Sequence, residues 1–356
     1  MSDERYMAIP PSAIVPGAMP EFQIYFRSPQ GQYTLWATEG HKVNSKQLAK
    51  LTESSLKEVY VDLDEQFKYE EYLEANLGKI LDNPAASVDQ KAAIFTKIST
   101  NVVKNTFETS FGAGSVGPNS LRRIENLVKN AILFLTETKS LKALADMIGH
   151  DYQTYEHATK VLWFSVGFLT DNPSVLEIIE PNYSSFNENE KKDVLHQCGV
   201  AALLHDVGKV FIPVEILNKN GPLNEVEWEI MKRHPLTGLA MFVGTDVPDF
   251  VRKATMQHHE DFNGRGYPMG LLGLNISILA RVLRIIDAFE AMTSRRPYKE
   301  AMPPMKALKI MIGNPAHKSG ESDPDTEDRD RGMISCFDDD LLRKFILFMG
   351  KMKLEE

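Results

Sequence analysis

The stretch AALLHDVGKVFIP, residues 201–213, places His205 beside Asp206 in surroundings that are otherwise apolar or small. This pattern predicts a buried helix that carries the pair, with Lys209 about one turn after the histidine. A buried histidine and carboxylate are unfavourable unless a partner compensates for their polarity. A metal ion is such a partner, because imidazole and carboxylate are both metal ligands. For a lone His-Asp dipeptide, a core histidine hydrogen-bonded to nearby backbone is the more common explanation. Other residues must therefore show whether this pair binds a metal.

The rest of the chain places more histidines in the same kind of setting. Five of the nine histidines, and the acids Asp206 and Asp287, lie on or beside apolar helical segments. Each one alone is explained as a core residue whose polar atoms have hydrogen-bond partners, but so many buried titratable groups together need a shared partner. The candidate metal ligands are His157, His205, Asp206, His234, His258, His259 and Asp287. This set exceeds what one cation holds and therefore predicts two divalent metal ions. The absence of cysteine ligands favours iron, with manganese as the alternative, over a structural zinc site.

Composition narrows the class of protein. The chain has 356 residues, of which 43% are hydrophobic and 25% are charged, which is typical of a globular protein with room for two domains. A net charge of -9 argues against a protein that coats a nucleic-acid polymer. It leaves open a small anionic ligand in a local basic pocket. Cys198 and Cys336 lie in helix-like apolar surroundings, which predicts reduced core thiols and not a disulfide.

Two signals bear on location. Residues 1–10, MSDERYMAIP, lack the basic and apolar regions of a signal peptide. No apolar run reaches the roughly 18 residues that a membrane-spanning helix needs. The sequence therefore predicts a cytoplasmic protein without a membrane span.

The chain divides into three predicted regions. Residues 1–66 form a small α/β accessory module, with a hairpin over 22–37, a helix that starts at Ser45 and a strand over 58–64. Residues 67–119 form a helical linker region that FETSFGAGSVGPNS (107–120) interrupts. No catalytic constellation falls in the first module, so scaffold, sensor and dimerisation roles are equally open.

Residues 120–356 form a third region, predicted to be almost entirely helical. Asn224 and Glu227 make a capping-box pattern at one helix start. The glycines and proline of 261–273 predict a loop, and the acidic run 319–332 predicts a solvated loop.

Several separated motifs resemble the HD-GYP family, a branch of the HD phosphohydrolase superfamily. The motifs are HDVGKVFIP (205–213), ILNKNGPLNEVEWEIMKRHP (216–235), HHEDFNGRGYP (258–268), IIDAFEAMTSRRPYK (285–299) and CFDDDLLRKF (336–345). The resemblance runs from about Asp151 to the last residue. It implies a mainly α fold with an HD-type helical bundle in the C-terminal domain. It also implies two, in some members three, metal ions and hydrolysis of the bacterial messenger cyclic di-GMP to pGpG or GMP.

The resemblance carries residue roles to matching positions. It implies the same seven metal ligands, with Asp206 as a bridging carboxylate and Lys209 as a positive charge beside the scissile phosphate. Asp206 and Lys209 are thus the predicted catalytic residues. The predicted substrate-binding residues are Lys209, Gly266, Tyr267, Arg296 and Lys299. Without the resemblance, Lys209 would read as a surface lysine, GRGYP (264–268) as a structural turn, and Arg296 and Lys299 as exposed helix-end charges.

Two departures from the family pattern bear on activity. Gln153 stands where the family has a tyrosine, or a glutamate that bridges a third metal, and an amide is a poor anionic bridge, so two metals are favoured. Glu290 stands where the family prefers aspartate. The alternative function is therefore a weakly active or inactive HD-GYP protein that acts as a cyclic di-GMP receptor or a protein-interaction module. The implied partners are cyclic di-GMP and other signalling proteins, and the oligomeric state is not predicted.

Overall fold

The computed structural model describes residues 5–28, 30–44, 46–48, 58–84, 86–135, 154–294, 301–313 and 333–352. The chain separates into two compact units, Met1–Ile98 and Ser99–Glu356. The three-region division with boundaries at residues 66 and 119 stays a prediction.

A four-stranded antiparallel sheet forms the first part of the N-terminal unit. Its strands are β1 Tyr6–Ile9, β2 Ile24–Arg27, β3 Tyr33–Ala37 and β4 Val59–Asp62, in the order β1-β4-β2-β3. The β2–β3 pair confirms the predicted hairpin, and β4 confirms the predicted strand. Strand β1 was not predicted; it is four residues long and pairs with β4 from Tyr6↔Asp62 to Ile9↔Val59. The helix predicted from Ser45 lies largely outside the described residues.

Two helices follow, α1 Gln66–Leu81 and α2 Val88–Ala113. Tyr69 and Tyr72 of α1 pack edge-on against Phe22, so aromatic contacts join the helix to the chain before β2. The predicted interruption over 107–120 is too long, because α2 continues to Ala113. Phe107 remains on the buried helical face, whereas Phe111 is exposed. The break is confined to the residues between Ala113 and Pro118.

The C-terminal unit is helical, as predicted. Its further helices are α3 Pro118–Leu135, α4 Thr154–Asp171, α5 Pro173–Ile179, α6 Glu188–Leu204, α7 Val214–Leu217, α8 Glu225–Met231, α9 His234–Met241, α10 Asp249–Gln257, α11 Ile278–Thr293, α12 Pro304–Ile312 and α13 Asp339–Lys351. Short 3-10 turns occur at Val207–Phe211, Gly273–Asn275 and Ile334–Cys336, among others. The mainly α fold class is confirmed.

Polar residues start the helices that surround the later site. Asn187 and Glu190 form a capping box at α6, and Asn224 and Glu227 form the predicted one at α8. The Ser277 hydroxyl accepts from the first turn of α11, and Asp338 caps α13 in the same way. Each cap satisfies backbone N–H groups that have no partner inside the helix, and so fixes where the helix begins.

The centre of the C-terminal unit is α4, which packs against α6 and α11. Phe168 of α4 and Phe289 of α11 both contact Phe345 of α13, with ring centroids 6.1 and 5.3 Å apart. Such fully buried rings lock the helices in one arrangement, since interiors are close-packed and adjust little. Side chains that project from these helices are therefore held in defined positions.

Four further predictions concern membrane spans, the two cysteines and two loops. Among the residues that the structure describes, every helix is too short or too polar to cross a bilayer. Cys198 and Cys336 are free thiols, as predicted, although Cys336 is only half-buried. The loop predicted over 261–273 is confirmed, and the acidic run 319–332 lies outside the described residues.

Candidate metal centre

The His205–Asp206 pair stands at the end of a helix. Helix α6 finishes at Leu204, His205 is its C-terminal cap, and Asp206 begins the 3-10 turn Val207–Phe211. The prediction of a pair within a helix was therefore wrong. The turn forms where Gly208 meets α9 backbone to backbone: a Cβ on Gly208 would lie 2.0 Å from the His234 carbonyl oxygen. This close approach brings His234 to the His-Asp pair.

The structure brings all seven predicted ligands together from five helices and their ends. They fall into two groups, and within each group the ligand atoms lie within 4.8 Å of one another. One group is Asp206, His234, His258 and His259; the other is His157, His205 and Asp287. The two groups are adjacent, because the Nε2 atom of His157 lies 3.6 Å from Asp206 Oδ2.

Asp206 faces both groups. Its Oδ1 lies 3.2 Å from His234 Nε2 and 3.6 Å from His258 Nε2. Its Oδ2 lies 3.4 Å from His205 Nε2 and 2.5 Å from Lys209 Nζ. Asp206 is fully buried, yet among the described residues its Oδ1 accepts no hydrogen bond. A buried carboxylate oxygen without a donor is costly, so this atom fits a cation ligand.

Three imidazoles are oriented by backbone carbonyls. The Nδ1 atoms of His205, His234 and His258 lie 2.7, 2.8 and 2.7 Å from the carbonyl oxygens of Ala202, Met231 and Thr255. A carbonyl only accepts, so each Nδ1 carries a proton, and each Nε2 is left to face the other ligating residues.

The Nε2 atoms come close to one another in pairs. His157 and His205 bring their Nε2 atoms within 3.3 Å, and His234 and His258 within 3.2 Å. Ring nitrogens at that distance need a proton or a cation between them, and a shared cation satisfies both. The residues present therefore fit a metal centre, and the fixed tautomers are those that metal-bound histidines use.

The charges in the centre match metal binding. Burial disfavours an ionised Asp206, but Lys209 and the surrounding imidazoles outweigh it and hold the pKa of this carboxyl well below its usual value. Burial lowers the pKa of His258 to about 4, and burial with neighbouring imidazoles lowers the pKa of His259. At neutral pH the acids are therefore ionised and these histidines neutral. That is the protonation state in which they bind cations.

Glu290 positions His157 through the Nδ1 atom of its ring. The residue lies one turn after Asp287 on α11, and its Oε2 is 2.5 Å from His157 Nδ1, while Asp287 Oδ1 is 3.3 Å from Nε2. Glu290 is itself buried, accepts from the Ser294 hydroxyl and lies 3.8 Å from Lys160 Nζ. The longer side chain at this position thus orients a metal-binding imidazole, an arrangement that raises ligand basicity.

We expect Glu290→Gln to weaken metal binding by roughly 10- to 100-fold, because a neutral amide orients His157 less firmly and adds no charge. Competition with a metal-chelating dye measures this affinity, and Glu229→Gln on the exposed face of α8 is the matched control. Equal metal affinity in the Glu290 variant and the control would remove Glu290 from the site.

The loop over residues 261–273, which contains GRGYP, is held by Glu260. This buried carboxylate accepts from the backbone N–H groups of Met269 and Leu271, at 2.7 and 2.8 Å. Gly266 packs against the start of the same loop: a Cβ there would lie 2.1 Å from Asp261 N and 2.5 Å from Glu260 Cα. The need for glycine is therefore explained by packing within the loop. Its role in substrate binding stays a prediction.

Tyr267 connects the loop to the histidines. Its ring stacks on His259 with centroids 4.7 Å apart and planes 25° apart, and its N–H donates to the His259 carbonyl at 3.1 Å. Burial raises the pKa of Tyr267, so the phenol stays protonated at neutral pH. The predicted substrate-binding tyrosine therefore lies directly against a candidate ligand.

Two other predicted substrate residues, Arg296 and Lys299, lie outside the described residues, as does Gln153. Sequence reasoning missed the part that Glu260 plays in holding the loop and that Glu290 plays behind His157. Position offered a signal for Glu290: an acid at i+3 from Asp287 shares its helical face. Glu260 follows the His258–His259 pair, but its partners are backbone groups that no sequence pattern names.

The fold and the site define a class, an α-helical domain built around a buried His-Asp pair with two groups of candidate metal ligands. An HD domain family model matches residues 184–321. The chain is 26% identical over 306 residues to cyclic di-GMP phosphodiesterase PA4108 of Pseudomonas aeruginosa, covering 82% of this chain and 68% of that protein. It is 44% identical over 105 residues to the cyclic di-GMP phosphodiesterase response regulator RpfG of Xanthomonas campestris, but this covers only 29% of this chain and 28% of RpfG.

A solved structure shares the fold. Bd1817, an HDG"Y"P protein from Bdellovibrio bacteriovorus, superimposes with a TM-score of 0.60 over 97% of this chain and 99% of that one, at 18% identity. Residues 184–321 thus match an HD domain, and the chain is similar to proteins named as cyclic di-GMP phosphodiesterases.

Proposed function

We propose that this protein is a metal-dependent phosphodiesterase that hydrolyses cyclic di-GMP to pGpG or GMP. The observation that carries the proposal is Asp206, whose two carboxylate oxygens face two separate groups of ligating residues. The names of PA4108 and RpfG support this substrate, and both relatives are phosphodiesterases by name. Hydrolysis is favoured over the receptor alternative because the seven ligands are present and oriented.

The seven residues would hold two divalent cations, one by each group, with Asp206 between them. When bound, such a pair supplies Lewis acidity at the phosphate and helps to generate a nucleophile from water. Iron, with manganese as the alternative, suits a donor set of imidazoles and carboxylates that contains no thiolate. Both cysteines lie outside the two groups.

The chain's own residues then have distinct tasks. Lys209 is mostly buried and pairs with Asp206 Oδ2, so it keeps the carboxylate ionised and sets a positive charge at the edge of the centre. A scissile phosphate beside Asp206 would meet that ammonium. The backbone carbonyls and Glu290 keep the imidazoles in place, so the centre needs little reorganisation when a substrate binds.

A turnover assay tests the function. Anaerobically purified, metal-loaded protein is incubated with cyclic di-GMP and the products are separated by chromatography. The proposal expects linear pGpG or GMP to accumulate, and a chelator to stop it. Tight binding of cyclic di-GMP without any linear product would favour the receptor alternative. The absence of both binding and product would contradict the proposal.

Arg296 gives a further test outside the described residues. We expect Arg296→Ala to raise the KM for cyclic di-GMP by roughly 10- to 100-fold, since a hydrogen bond between charged groups contributes about 1.5–3 kcal/mol. Metal content should stay unchanged, and Arg295→Ala is the matched control. An unchanged KM would take Arg296 out of substrate binding.

Cytoplasmic location and protein partners also stay predictions.

A further inference from the structure

A row of three rings leads away from the metal centre. Trp228 of α8 contacts Tyr267 edge-to-face, with centroids 5.9 Å apart and planes at 77°. Tyr267 in turn stacks on the candidate ligand His259. The Trp228 side chain is 45% exposed, whereas Tyr267 is half-buried. The row therefore begins among metal-ligating imidazoles and ends in solvent.

Trp228 is firmly positioned. The capping box of Asn224 and Glu227 fixes the start of α8, and Lys219 Nζ binds Glu227 Oε2 at 2.5 Å. His234 begins the next helix, and its ring also lies near Tyr267, with centroids 6.3 Å apart. The start of α8 is thus fixed by its cap and an ion pair, and the indole contacts a ring that itself contacts two candidate ligands. A rigid exposed aromatic binds flat ligands with little loss of side-chain entropy.

We propose that Trp228, together with Tyr267, forms a subsite that stacks a purine base of the nucleotide whose phosphate lies at the metal centre. The inference rests on the proposed function and adds a residue that recognises the base. Aromatic rings stack on nucleobases because both present π faces, and such stacking adds affinity without requiring a particular base. The site already described supplies charge for a phosphate, and the aromatic row supplies the apolar contact that a base needs.

Two substitutions separate stacking from simple packing. Trp228→Leu keeps apolar bulk and removes the aromatic face, and Trp228→Phe keeps a ring. Val226→Ala, at a 70% exposed position on the same helix, is the control for damage to α8. For each variant we would measure KM and kcat for cyclic di-GMP, and inhibition by GMP and by inorganic phosphate, which has no base.

We expect Trp228→Leu to raise the KM for cyclic di-GMP and the inhibition constant of GMP by about tenfold or more. Inhibition by inorganic phosphate and kcat should change little, Trp228→Phe should recover most of the loss, and Val226→Ala should behave as the unaltered protein. Unchanged constants for both nucleotides in Trp228→Leu would overturn the proposal. So would an equal weakening of phosphate and GMP, since that indicates general damage.

Failure of the proposed function gives a different result. If the unaltered protein forms no linear product, that proposal fails alone, and calorimetric titration of cyclic di-GMP then tests the subsite. Weaker binding by Trp228→Leu than by the unaltered protein supports stacking. Equal affinity, or no binding by either protein, contradicts it.

Discussion

Replacing Asp206 by asparagine is expected to remove most of the bound metal and lower kcat/KM for cyclic di-GMP by about 10³-fold or more. The amide offers one neutral oxygen and an NH₂ group, whereas the carboxylate offers two charged oxygens, so asparagine cannot be a ligand in both groups. Loss of metal-derived charge stabilisation of several kcal/mol corresponds to a decrease of this size. Metal analysis and steady-state kinetics on the same preparation measure both effects.

The control for this substitution is Asp249→Asn, at an exposed position in the first turn of α10. It changes the net charge by the same amount and leaves the centre untouched. Full metal content in Asp206→Asn, alongside full content in the control, would show that Asp206 does not hold the cations.

Gly208→Ala is expected to have the largest effect on stability. A Cβ at this position would lie 2.0 Å from the His234 carbonyl oxygen, 2.4 Å from Gly238 N and 2.7 Å from Thr237 Oγ1. Two of these atoms are backbone, so the 3-10 turn and α9 must separate. We expect a loss of about 3 kcal/mol or more in the free energy of unfolding, at the upper end of overpacking effects.

The same separation moves His234 away from Asp206, so metal affinity should fall with stability. Denaturant unfolding and metal titration measure the two losses. Gly112→Ala is the matched control, because a Cβ there meets nothing within 4 Å and the position lies within α2, where alanine favours the helix. A Gly208 variant as stable as this control would refute the close packing of α9 on the turn.

The candidate ligands could be chosen from the sequence, but their arrangement could not. Several histidines in apolar segments indicate a shared partner. The structure does bring His157 next to His205, although the two are more than 40 residues apart in sequence. The division into two groups depends on how five helices pack, which no local pattern encodes. The end of α6 at Leu204 was missed because the apolar residues continue past it, and the close approach of Gly208 to α9 just beyond it has no signal in the local sequence.

Local signals worked where the chemistry is local. The capping box at Asn224 and the hairpin before residue 37 depend on neighbours in sequence, and both are confirmed. Glu260 and Gly266 depend on backbone groups several residues away in a loop of irregular shape. Their functions became visible only once the loop was folded.

We propose that the seven side chains, in the two groups that Asp206 faces, would hold two cations. Elemental analysis of protein purified without oxygen, compared with Asp206→Asn prepared in parallel, tests it most directly. We predict close to two metal atoms per chain, chiefly iron, and loss of most of them in the variant. One metal atom or none in the unaltered protein, with no uptake on titration with ferrous or manganous ions, would contradict the claim.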